Sequence, residues 1–109
     1  MSIEQTEIID FISTNLKGEV VLTISDHLDW NPESNHLWLL QEKINSYLLF
    51  IESGEINKKY PDAKGRRFVI SVKLMNQPTA EALTFFDQVR SITVGAGVGL
   101  QYEHTPLIR

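Results

Sequence analysis

Three short segments of this chain alternate apolar and polar residues, and that period of two decides most of what the chain can become. In Glu19–Ser25, Val20, Leu22 and Ile24 point one way while Val21, Thr23 and Ser25 point the other. In Arg67–Met75, Phe68, Ile70, Val72 and Leu74 share a face opposite Val69, Ser71, Lys73 and Met75. In Val98–Glu103, Val98, Leu100 and Tyr102 alternate with Gly99, Gln101 and Glu103. Each segment is apolar on one face and mixed on the other. Strands covered on both faces read as continuous apolar runs instead. The pattern therefore predicts one sheet with helices on a single face.

The remaining segments supply the rest of that architecture. Glu7–Ser13 is β-branched and aromatic, and the turn residues Asn15-Leu16-Lys17-Gly18 follow it, so it reads as a first strand in a hairpin with the second. Asn31-Pro32-Glu33 predicts a helix start: an Asn cap, a proline at the first helical position and an acidic first turn. That helix runs to about Ser53, with Gly54 as left-handed cap. Its stripe is Leu37, Leu40, Ile44, Tyr47, Leu48 and Ile51, widened by Trp38, Leu39, Leu49 and Phe50. Glu55–Arg66 reads as a loop. Pro78 and Thr79 open a second helix reaching about Val94 on the stripe Ala82, Phe86, Val89 and Thr93, and Gly95–Gly97 end it. The order is ββαβαβ: an α+β two-layer sandwich, a mixed sheet of about four strands with parallel crossovers and two helices on one face. The 109 residues form one domain, 1–109, with a tail frayed from His104 because Pro106 discourages pairing.

Composition narrows the function. The net charge of −4 opposes nucleic-acid binding, whose affinity comes largely from phosphate neutralisation. No cysteine is present, which removes disulfides, thiolate nucleophiles and cysteine metal sites, and fits a reducing, cytoplasmic setting. Glu4, Glu7 and Asp10 interrupt any leader-like run, and no stretch is long and apolar enough to span a membrane.

Three segments carry residues capable of chemistry. Asp26, His27, Asp29, Glu33 and His36 gather metal-ligating types around one turn, but with no His-x-His pair and no histidines at i and i+4. The plainer reading is turn-forming Asx bonds, and no metal or other cofactor is assigned. His27 as a general base would need a supported nucleophile, and neither Ser25 nor Ser34 lies in Gly-x-Ser-x-Gly. Lys58, Lys59, Lys64, Arg66 and Arg67 form a basic loop suited to an anion or to plain solvation. Gly95-Ala96-Gly97-Val98-Gly99 follows a helix and precedes a strand, the reverse of a dinucleotide loop. Trp30 reads as closing one end of the core, and Trp38 as core rather than a partner anchor.

The run Asp26-His27-Leu28-Asp29-Trp30, the helix surface Gln41–Lys43–Asn45–Tyr47, and Tyr60-Pro61 followed by Gly65-Arg66-Arg67 together resemble a family of short bacterial proteins catalogued only as a domain of unknown function. The resemblance spans roughly Ile9 to Tyr102. It implies no reaction and no catalytic residue. The expectation is a small interaction module without catalytic activity, forming a homo-oligomer, most simply a dimer, with a protein partner as a further possibility. The open sheet face (Val21, Val69, Met75) and the wide apolar arc of the first helix motivate it. The alternative is a ligand- or metal-binding protein or enzyme built on Asp26–His36 and the basic loop. The residues expected on the functional surface are Asp26, His27, Asp29, Trp30, His36, Tyr60, Arg66 and Arg67.

Overall fold

The computed structural model describes residues 5–6, 9–31, 33 and 35–106. Four strands form one sheet in the order β1-β2-β3-β4: β1 (Phe11–Thr14), β2 (Val20–Asp26), β3 (Phe68–Leu74) and β4 (Val98–His104). β1 pairs antiparallel with β2 through a tight turn, while β2, β3 and β4 run parallel. The turn holds because the Asn15 side chain accepts from the N–H groups of Lys17 and Glu19, both at 3.0 Å. Gly18 supplies a left-handed φ of 80° there.

Two long helices make the crossovers, α1 (His36–Glu52) and α3 (Ala80–Gly95), and both pack on the same face of the sheet. The registers Leu22↔Ile70 and Ile70↔Leu100 bring the apolar alternates of the strands into rows beneath them. Leu40, Ile44 and Tyr47 of α1 and Ala82 and Phe86 of α3 close on those rows. Each fully buried aliphatic or aromatic side chain contributes roughly 1.5–3 kcal/mol. Pro78 and Thr79 precede α3 as expected, and Thr79 caps it, its hydroxyl accepting from Ala82 N–H at 3.1 Å.

Four expectations change. The first strand is shorter than Glu7–Ser13: Ile9 and Asp10 are described but not paired, and Glu7 and Ile8 lie outside the described residues. The first helix begins at His36, not at Pro32, which lies outside the described residues along with Ser34. Asn31 accepts from Glu33 N–H at 3.0 Å, and Asp29 accepts from Asn31 N–H at 3.1 Å, so these side chains bond locally ahead of α1. Asn35 then takes a left-handed φ of 55° and the helix follows. Inside the expected loop a short helix, α2 (Glu55–Lys59), docks through the buried Ile56, and a 3₁₀ turn follows at Pro61–Ala63. β4 continues through His104, and Thr105 N–H still bonds Leu74 C=O at 2.7 Å, so pairing outlasts the predicted fray point; residues 107–109 lie outside the described residues.

Candidate functional site

The parallel strands place the two candidate segments at opposite ends of the sheet. Asp26 ends β2, so His27, Asp29, Trp30 and His36 lie at the carboxyl end of the strands. Arg66 and Arg67 lead into β3 and lie at the other end, with Tyr60 in the loop before them. A strand of seven residues separates the ends by about 20 Å. The fold brings Asp26, Asp29, Trp30 and His36 together; it does not bring Tyr60, Arg66 or Arg67 to them.

At the carboxyl end, His36 is the centre. Its Nε2 meets the Asp26 carboxylate, and its Nδ1 lies 2.7 Å from the Asp29 carbonyl oxygen. The Trp30 indole stacks on the imidazole with centroids 3.7 Å apart and planes 14° from parallel. Asn76, just after β3, ties the same turn from the other side by donating to the carbonyls of Leu28 at 2.9 Å and His27 at 3.3 Å. Asp26 also accepts from Leu28 N–H at 3.1 Å. Asp26 and His36 are both buried. A carbonyl only accepts, so Nδ1 carries a proton, and Nε2 is occupied by the carboxylate. Neither ring nitrogen is left to take a proton from a substrate or to bind a metal. Ser25 points to the opposite face of the sheet from Asp26. Among the described residues, no three histidine, aspartate or glutamate side chains gather as a metal-holding group. A groove of about 220 Å³ beside Trp30 and His36 is completed by Asn31, Leu37, Thr79 and Glu81.

The basic loop is likewise engaged. Arg66 donates through Nε to Asp62 C=O at 2.8 Å and through Nη1 to Gly18 C=O at 3.1 Å, stitching the loop to the β1–β2 turn. Arg67 lies 3.5 Å from Glu19, and Lys59 lies 3.6 Å from Glu55. Tyr60 is exposed. With Lys59, Glu55, Leu49, Phe50 and Ile12 it lines a groove of about 610 Å³ between β1 and the helices α1 and α2.

A buried polar network centred on Lys43 is not among the expectations from the sequence. Lys43, expected on the helix surface, has no exposed area. Its ammonium donates to Asp10 Oδ1 and to Gln5 C=O, each at 2.8 Å. Asp10 also accepts from Ser25 N–H at 3.0 Å. Tyr47 Oη accepts from Asp10 N–H and donates to Thr23 C=O, each at 2.8 Å. Burial pushes the Tyr47 phenol well above its ordinary value, the neighbouring Asp10 charge adds to the rise, and the bond from the Asp10 backbone opposes it. The signal was present in the sequence: His36, Leu40, Lys43, Tyr47 and Phe50 follow one another at helical spacings of four and three, and all five are buried. Trp38 is the converse, expected as core but 59% exposed. On the sheet face away from the described helices, Val69 is buried with its methyls close over Gly99, where a Cβ would lie 3.3 Å from Val69 Cγ2.

Taken together, fold and site define a small α+β protein whose buried polar groups serve its own turns and termini. The chain belongs to DUF6572, a family of unknown function whose profile matches residues 1–106. No curated protein and no solved structure matches the chain. Family membership gives the residues above no role, so function rests on their geometry.

Proposed function

We propose that this protein is a non-catalytic interaction module of the bacterial cytoplasm that acts as a homodimer. One observation carries this reading: the buried Asp26 and His36 and the exposed Arg66 are engaged with groups of the chain itself, while large apolar side chains are turned outward. His36 has both nitrogens occupied, and Arg66 is spent on two carbonyls. Trp38, Leu49 and Ile92 stand exposed on the helical layer, and Phe11 and Leu16 at the β1–β2 hairpin. Between α1 and α3 a groove of about 200 Å³ has Phe85, Val89 and Ile92 in its wall and the amides Gln41, Asn45 and Gln88 at its rim, with no charge among its lining residues. A two-fold contact sets identical residues near one another, so uncharged apolar surface, of which the hairpin stretch from Phe11 to Leu16 is one part, is where copies of a chain of net charge −4 can meet without repulsion. The absence of cysteine fits a reducing compartment, and among the described residues no helix is long and apolar enough to cross a membrane.

Light scattering on the purified chain tests this. The expected mass is twice the 12.5 kDa of one chain at micromolar concentration. A mass of one chain throughout, with a divalent metal or inorganic phosphate raising the melting temperature, would replace this reading with the ligand-binding one.

A further inference from the structure

The two edges of the sheet are treated differently. In β4, Thr105 N–H reaches Leu74 C=O, so the odd-numbered residues turn their backbone toward β3 and the even-numbered ones turn outward. The outward carbonyl of Leu100 is covered: Arg90 of α3 donates to it through Nε at 3.3 Å and lays its guanidinium 5.7 Å from the Tyr102 ring centroid. Glu103 adds charge along the same strand, paired with Lys73 at 2.5 Å. These are the devices that keep an edge from pairing with another chain.

Among the described residues, no side chain is seen covering the outward backbone of β1. Asn15 N–H bonds Glu19 C=O, and Val20 N–H bonds Arg67 C=O, so Phe11 and Ser13 turn their backbone toward β2 while Ile12 and Thr14 turn theirs outward. From Phe11 to Leu16 the sequence FISTNL contains no charge and no proline. Its two ends carry Phe11, 59% exposed, and Leu16, fully exposed.

We infer that the β1 edge is where a second copy of this chain docks, by antiparallel pairing of β1 with its counterpart about a two-fold axis at Ser13. The inference rests on the homodimer reading above and names its interface. With Ser13 opposite Ser13 of the other copy, Ile12 faces Thr14 on both sides of the axis. Each such pair exchanges two backbone bonds, and the two four-stranded sheets become one of eight strands. In this register Asp10 faces Leu16 and Lys17 faces Ile9, so no charge meets its own kind. The small serines fit the close, non-hydrogen-bonded position on the axis, where Cα atoms stand about 4.5 Å apart.

That spacing lies inside the range a disulfide bridges, roughly 4.4–6.8 Å, and the chain has no cysteine of its own. Ser13→Cys is expected to form a covalent dimer on mild oxidation at micromolar concentration, while Thr84→Cys, exposed on α3, stays a monomer on a denaturing gel. Ser13→Lys, which sets two ammonium groups face to face, is expected to scatter as a single chain with an unchanged circular dichroism spectrum. A wild-type dimer in which Ser13→Cys fails to cross-link and Ser13→Lys remains dimeric would overturn the edge interface while leaving self-association standing. A monomeric wild type would overturn both.

Discussion

Lys43 and Asp10 show how much of this fold hangs on single buried charges. Removing one partner of a buried ion pair strands the other, at a cost of about 3–5 kcal/mol, whereas replacing both with apolar residues of similar size is often neutral. Lys43→Ala is expected to lose stability of that order in urea denaturation, and Lys43→Met combined with Asp10→Leu to recover most of it. Equal losses in the single and double variants would mean that the pair itself, rather than the stranded charge, sets the cost. Tyr47 beside it makes stability depend on alkali. Its phenol is held above the ordinary value of 10.0, chiefly by desolvation. The folded chain therefore keeps a proton that the unfolded chain releases. This contribution is complete below the unfolded value and is lost as pH rises from there through the folded one, at up to about 1.4 kcal/mol per pH unit. Tyr47→Phe, less stable at neutral pH for want of two hydrogen bonds, should lose stability less steeply above that point. An identical alkaline slope would place the titration elsewhere.

Among the elements, α1 is exposed at Trp38 and Leu49, three helical turns apart, on the side away from Tyr47. Trp38→Ala is accordingly expected to change stability by no more than about 0.5 kcal/mol, as surface substitutions do. A loss of about 3 kcal/mol or more in a urea melt would instead mark Trp38 as core. The elements legible in the sequence are those whose period matches their burial: Leu22, Ile70 and Leu100 lie under the helices as their alternation requires, and Thr79 caps α3 through a contact three residues away. What stayed hidden depends on distant partners or on brevity. The start of α1 is fixed by His36 reaching back to Asp26 and Asp29. Lys43 is buried because Asp10, 33 residues earlier, meets it. Five residues of α2 are too few to show a period, and one side chain, Ile56, anchors them. Of the candidate site, the turn from Asp26 to His36 was visible by residue type, but that its imidazole is fully engaged follows only from where Asp29 C=O falls.

At the scale of the molecule, two helices cover one face of the sheet and leave the other to small side chains and cross-strand pairs such as Gln101–Ser71 at 3.2 Å. That face has little exposed apolar area beyond Phe11 and Met75. The proposed association is therefore left with the helical layer and the β1 edge, and the edge offers backbone partners that the helices do not. A dimer joined there would leave Trp38 and the groove between α1 and α3 uncovered. Amide hydrogen exchange followed by NMR over a range of protein concentrations tests the joint most directly. The Ile12 and Thr14 amides are expected to exchange more slowly as concentration rises, while the outward-facing Leu100 amide of β4 keeps one rate. Exchange at Ile12 and Thr14 that is indifferent to concentration, in a chain that light scattering shows to be dimeric, would contradict docking at β1.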